Sequence, residues 1–297
     1  MLRVLLFLLM QVAVLVVVSI VGSILMSLFG IRLGGGSYTG LLVMCAIYGF
    51  VGSFISLFMS KTMCKSAYGV QTITVPQNYQ EQFIYDTVAS LASKAGLKMP
   101  EVGIYNSADP NAFATGYSKD NALVAVSTGL LNAMSEDEVR GVIGHEISHI
   151  KNGDMVTMSL LQGVLNTFVY FFSYIISQLI VNVMNNRDDE EGEGMGMGDF
   201  MLFHLVNTIM QILFGMLATM ILMWFSRYRE YRADAGSAFL SSKETMIHSL
   251  EALKRGIQPK GESKAYMQAL CINSSDLASL FASHPPLEKR IAALRAL

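Results

Sequence analysis

Residues 142–154 read VIGHEISHIKNGD. His145 and His149 stand four apart, and Glu146 directly follows the first. On a helix, residues four apart share one face, about one turn from each other. Two imidazoles placed this way reach a single zinc ion at about 2.0–2.1 Å. Glu146 lies one residue on, so its carboxylate points beside the metal rather than at it. There it can take a proton from a metal-activated water and pass it to a leaving amine. This is the physical reason the HExxH spacing serves peptide hydrolysis.

A chance HExxH is expected in about one chain of this length per hundred, and a catalytic zinc needs a third protein ligand with one open position. RYREYRADAGS at 227–237 offers one. Glu230 and Asp234 are again four apart and share a helix face. Glu230 can supply the third ligand. Asp234 can accept the Nδ1–H of a ligating histidine and so fix its tautomer. Taken alone, Glu230 among arginines also suits a surface ion pair, and Asp234 a cap or a solvated charge. The hydrophobic layout favours the ligand reading, because it brings the two segments together.

That layout rests on composition. Hydrophobic residues make up 52% of the 297, and charged residues only 15%, well under the roughly 25% charged of soluble domains. Four apolar runs, 4–29, 41–60, about 155–184 and 200–225, carry no Asp, Glu, Lys or Arg. Each is long enough to cross a bilayer, which takes about 20 apolar residues. The first is too long for a signal-peptide core and is read as a retained anchor. The motif helix ends just before the third run, and Glu230 lies just after the fourth. An antiparallel hairpin of those two runs brings both ends to one membrane face.

Lys and Arg near span ends mark the cytoplasmic side. With a cytoplasmic N-terminus, that side carries Arg3, Lys61, Lys65, Lys151, Arg227, Arg229 and Arg232, and the outer loops only Arg32 and Arg187. The acidic, Gly-rich loop 185–199 reads as an outer linker. Gln162, Asn166, Gln178, Asn182, His204, Asn207 and Gln211 within the last two runs need partners in lipid; His204 reads as such a satisfied polar group. Cys45, Cys64 and Cys271 lack metal-ligand spacing and read as free thiols. The net charge of −2 and the absence of a basic stripe give no sign of nucleic-acid binding.

Among the polar segments, Asn78 and Glu81 form a capping box for a helix that Gly96 ends. The runs 102–105, 112–116 and 122–129 read as strands of a small sheet. Ser135 and Glu138 form a second capping box, which starts the motif helix, and Gly153 stops it.

HEISH followed by Asp154, EYRAD at 230–234, NAFATG at 111–116 and SHPP at 283–286 resemble the HtpX-type membrane metalloproteases, a peptidase group that also contains the CAAX prenyl endopeptidases. With the hydrophobic layout, the resemblance covers nearly the whole chain. It implies a Zn²⁺-dependent endopeptidase of the bacterial cytoplasmic (inner) membrane with one Zn²⁺ per chain. It also implies a role in stress response and quality control, cutting misfolded or unassembled membrane proteins. Residue by residue it supports His145, His149 and Glu230 as ligands, Glu146 as general base and Asp234 as the partner of a ligating histidine. It places Asn111, Ala112, Phe113 and Ala114 on a strand beside the cleft, where an extended substrate can add as a strand. His284 either stabilises the oxyanion or caps a helix. Asp154 could support a metal ligand, but its position at the end of the motif helix, before a lipid segment, favours a structural role.

The expected fold is mostly α with a small β-sheet: a polytopic membrane protein of about four transmembrane helices with a zincin-like cytoplasmic metalloprotease domain. The expected organisation is an N-terminal membrane hairpin (1–60), a cytoplasmic protease part with the HExxH helix (61–154), a second membrane hairpin (155–225) and a cytoplasmic helical part supplying the third ligand (226–297). The expected partners are unfolded or membrane-protein substrates and the lipid bilayer, with no nucleic acid; the pattern assigns no oligomeric state. The competing readings are a CAAX-type prenyl-protein endopeptidase, whose relatives have more spans, an intramembrane protease, and a membrane scaffold with structural zinc.

Overall fold

The computed structural model describes residues 38–185, 197–256 and 282–297, with isolated helical positions at Ile20, Ile24 and Ser27. Most of the first apolar run, most of the acidic outer loop and Cys271 therefore lie outside the described residues. Three described helices are long and apolar enough to cross a membrane: α1 (Tyr38–Tyr68), α5 (Asp154–Asn185) and α6 (Met197–Leu240). They contain the second, third and fourth apolar runs. The chain divides into two compact units, one of residues 1–56 and 159–222, the other of 57–158 and 223–297.

In the first unit several polar side chains of the apolar helices find partners within their own helices, while buried Ser173 Oγ and Asn207 Oδ1 have none among the described residues. The hydroxyls of Ser53, Thr167 and Ser177 donate to the carbonyls four residues back at 2.9, 2.8 and 2.6 Å. Gln162 donates to Asn166 at 2.8 Å. Such local bonds are what a hydroxyl or amide needs where no water is at hand. His204 is exposed, packed on the rings of Phe200 and Phe203. Phe200, Leu205, Ile209, Ile212, Met216 and Ile221 of α6 are exposed, as suits residues solvated by lipid.

The second unit carries a four-stranded sheet in the order β1-β2-β4-β3, built of β1 (Gln71–Thr72), β2 (Glu101–Tyr105), β3 (Ala112–Ser118) and β4 (Asn121–Ser127). β2 and β4 run parallel; the other pairs are antiparallel. β4 is central and reads ALVAV, so it buries both faces. Among the described residues, β3 pairs only with β4 and forms an edge of the sheet. The helices α2 (Tyr79–Ala95) and α4 (Glu136–Asn152) supply Ile84, Val88, Leu91, Ile143, Ile147 and Ile150 to one core with Val102, Val124 and Val126.

The start and stop signals act where expected. Ser135 and Glu138 make a reciprocal capping box at the start of α4. At α2 the Asn78 side chain accepts from Glu81 N, while the Glu81 carboxylate reaches back one residue further, to Gln77 N. The run 122–129 is a strand only to Ser127. There the Ser127 hydroxyl accepts from Leu130 N and starts a short helix, α3 (Thr128–Ala133). The two-residue β1 is too short to leave a periodic signal.

Candidate metal centre

Two helices deliver the site. α4 presents His145 and Glu146 on one turn and His149 on the next. α6 continues without a break through the apolar run ending at Phe225 and carries Glu230 and Asp234 beyond it. Small residues let the two helices approach closely. A Cβ on Gly144 would lie 2.7 Å from Ser237 Oγ, and one on Gly236 would lie 2.5 Å from Ser148 Oγ. The Ser237 hydroxyl donates to the Gly141 carbonyl across the seam at 2.7 Å.

The result is a triad of potential metal ligands, His145, His149 and Glu230, from three turns of two helices. The two Nε2 atoms are 3.1 Å apart. Glu230 Oε2 lies 3.4 Å from His145 Nε2, and Oε1 lies 3.3 Å from His149 Nε2. Two donors at about 2.05 Å from one tetrahedral ion stand about 3.3 Å apart, so the spacing is that of three ligands around one centre. The far side of each imidazole is committed as well. His145 donates Nδ1–H to Asp234 at 2.9 Å, and His149 donates Nδ1–H to Asp154 at 2.6 Å. A neutral ring that donates from Nδ1 has a bare Nε2. Both lone pairs and a carboxylate thus converge on one point, an arrangement that a cation stabilises. The donor set of two imidazoles and one carboxylate is that of catalytic zinc sites.

Without a cation in place, the same carboxylates draw protons onto the rings. Burial alone pushes the His149 imidazole down, but Asp154 and Glu230 outweigh it and hold the ring up at about 9. His145, opposed by the same burial, is raised by Asp234 and Glu230. Glu230 is 1% exposed. Burial opposes its charge, and the imidazoles of His145, His149 and His284 hold it far below the usual carboxylate range. The pocket is therefore built for positive charge next to these rings.

An open cleft of about 1100 Å³ reaches the triad at His145. Glu146 lines it beside His145, partly exposed. Asn111 and Ala112 at the start of β3 line the same cleft. Phe113 instead joins a ring cluster with Tyr68 and Tyr105, and Ala114 packs against the main core. His284 sits at the cleft with Nδ1 2.7 Å from Glu230 Oε2. The following helix, α8 (Leu287–Arg295), is preceded by Pro286 and takes no side-chain cap, so His284 does not cap it.

Two features escaped the sequence reading. Asp154, read as structural, holds His149. Gly153 at φ +70° adopts the left-handed turn that ends α4 and lets the next residue fold back on the helix. Arg290 was not singled out at all. It is 5% exposed, and its guanidinium grips Asp234 at 2.6 and 2.8 Å and lies 3.3 Å from Glu230. No local motif marks it; only its place one helix beyond SHPP hinted at the cleft.

Comparison with known proteins accords with this geometry. The model of peptidase family M48 matches residues 78–297. Protease HtpX of Pasteurella multocida is 54% identical over 299 residues, covering 100% of this chain and 99% of the relative. Protease HtpX of Actinobacillus pleuropneumoniae is 52% identical over 293 residues, covering 99% and 98%. The crystal structure of S. mikatae Ste24p shares the fold with a TM-score of 0.59 at 20% identity, over 85% of this chain and 58% of that one. The chain therefore belongs to peptidase family M48, among its HtpX-type membrane metalloproteases.

Proposed function

We propose that this metalloprotease is a zinc endopeptidase of the bacterial inner membrane that cleaves misfolded or unassembled membrane proteins at the cytoplasmic surface. The observation that carries the reading is the donor triangle of 3.1, 3.3 and 3.4 Å opening onto a cleft that holds Glu146. His145, His149 and Glu230 would hold the zinc, one ion per chain. When bound, zinc supplies a Lewis acid that acidifies water and polarises a substrate carbonyl.

The chain's own groups do the rest. Asp234 and Asp154 fix both imidazoles as Nδ1–H tautomers with Nε2 turned inward. Glu146 takes a proton from the attacking water and returns it to the leaving amine. The open edge of β3 at Ala112 offers backbone groups to an extended substrate, next to Asn111, whose own N–H and carbonyl are bonded to Ser127; an edge of this kind favours unfolded chains over folded ones. Trp224, Tyr228 and Tyr231 stand at helical spacing along the cleft and give it an aromatic wall for apolar segments. His284, exposed at the rim, is placed to support the developing oxyanion. The Lys and Arg asymmetry supports a cytoplasmic N-terminus and active site.

The test pairs purified wild type with Glu146→Gln in detergent, with metal analysis and an unfolded membrane-protein substrate. Both should bind about one zinc per chain, with cleavage only by wild type and abolished by a chelator. Cleavage by Glu146→Gln at the wild-type rate would overturn the role of Glu146. Absence of metal from both would overturn the ligand set.

A further inference from the structure

Each ligating imidazole leans on a carboxylate, and each carboxylate leans on an arginine, but the two relays differ. On the His149 side, Asp154 lies 3.4 Å from one Arg229 nitrogen, and Arg229 also donates to Ser226 Oγ at 3.1 Å. On the His145 side, Arg290 donates through Nε to Asp234 Oδ2 at 2.8 Å and through Nη2 to Oδ1 at 2.6 Å. That same Oδ1 faces His145 Nδ1 at 2.9 Å. The third nitrogen, Nη1, is 3.3 Å from Glu230 Oε2. One guanidinium thus spans the ligand carboxylate and the carboxylate behind the ligand histidine. The fixed charges balance: two arginines offset Asp154 and Asp234, leaving Glu230 and Glu146 to a divalent cation.

We infer that Arg290 is a positioning residue of the metal centre, locking Asp234 against His145 and so tying metal binding to the seating of the C-terminal helix α8. The inference rests on the reading of His145, His149 and Glu230 as metal ligands. A planar fork suits the task because two parallel N–H···O bonds fix the carboxylate plane, which a lysine ammonium does not. α8 has anchors besides Arg290: Ile291 and Leu294 pack with Met246 and Leu250 of α7 (Lys243–Gly256), and Lys254 pairs with Glu288 at 2.9 Å. Loss of the Arg290 charge therefore leaves the helix its apolar anchor.

The experiment uses the full chain in detergent, stripped of metal, for wild type, Arg290→Met, Arg290→Lys, Asp234→Asn and the double variant Asp234→Asn/Arg290→Met. Zn²⁺ affinity is read by competition with a chromophoric chelator, and site geometry by the absorption spectrum of bound Co²⁺. Arg290→Met should weaken Zn²⁺ by about tenfold or more, the scale on which partners of metal ligands act, and alter the Co²⁺ spectrum. Arg290→Lys should recover only part of the affinity. In the Asp234→Asn background Arg290→Met should add less than about threefold, because its effect passes through Asp234. A folded Arg290→Met with wild-type affinity and spectrum overturns the inference, as does an undiminished loss in the Asp234→Asn background. If Arg290→Met does not fold, Arg290→Lys decides: wild-type affinity and spectrum overturn the inference, and a loss supports it. Wild type that binds neither Zn²⁺ nor Co²⁺ overturns the ligand reading itself, a failure distinct from equal binding by wild type and variants.

Discussion

The His149 and His145 sides of the centre do the same job by different means. His149 is held by Asp154, five residues away and just past a left-handed glycine. His145 is held by Asp234 and Arg290, 89 and 145 residues away, on two other helices. The His149–Asp154 contact needs only the turn at Gly153; the His145–Asp234–Arg290 contact needs α4, α6 and α8 docked together. Both carboxylates are buried, but Asp154 has a 3.4 Å contact to Arg229, while Asp234 is gripped at 2.6 and 2.8 Å by both arms of Arg290. Distance along the chain and rigidity in space are therefore unrelated here. The long-range relay is the one that binds the metal centre to the fold.

The largest expected effect treats both sides alike. Replacing His149 or Glu230 by Ala removes a ligand outright, so bound zinc should fall from about one per chain to near none, with activity lost. Metal analysis after gel filtration checks this. Retained stoichiometric zinc in Glu230→Ala would mean that the third ligand lies elsewhere.

A sharper test separates the two sides. Asp154→Asn and Asp234→Asn should each weaken zinc by about 10- to 100-fold, with Asp234→Asn at the upper end. Asp234→Asn should also destabilise the fold more, because it takes the bidentate partner from the buried Arg290 and leaves it only the 3.3 Å contact with Glu230; breaking a buried pair costs up to about 3–5 kcal/mol. Equal melting curves and equal zinc affinities for the two variants would break the comparison.

The smallest effect comes from an exposed cluster elsewhere in the same unit. Glu101 receives Lys61 at 2.6 Å and also contacts Lys65. These two lysines hold its carboxyl below the usual range, against a smaller opposing effect of burial. A lowered folded pKa contributes stability above the unfolded value of about 4.3 and loses it as pH falls through the folded value. The group is over a third exposed, 39%, and solvent screens it, so the contribution should stay under about 1 kcal/mol. Denaturation of wild type and Glu101→Gln should differ slightly at pH 7 and converge as pH falls below the folded value. A difference that grows on acidification would reverse the sign.

Much of the centre was legible because its parts obey short-range rules. HExxH marks itself by a four-residue period on a helix, and the Ser135–Glu138 box and Gly153 fix where that helix starts and stops. Glu230 and Asp234 were reachable by one further step, the pairing of two apolar runs. Asp154 was in plain view yet misjudged, because its role depends on the sharp turn at Gly153 rather than on helix periodicity. Ser127 misled in the same way: its hydroxyl turns the end of an apolar strand into a helix start. Phe113 belongs to NAFATG but faces a ring cluster, because alternate residues of a strand point to opposite faces.

By itself the sequence determined the membrane-spanning helices, the small sheet, the paired imidazoles with their neighbouring carboxylate, and the class of chemistry. These follow from periodicity, capping and hydrophobic length, which act over a few turns of chain. Only the tertiary structure decided that Arg290 closes the relay behind His145, and that Ser237 meets Gly144 across a seam narrow enough to bring Glu230 to the histidines. It also decided which residues of β3 reach the cleft. Those outcomes depend on the close packing of helices distant in sequence, and a lone arginine or serine carries no periodic mark of the partner that packing will give it.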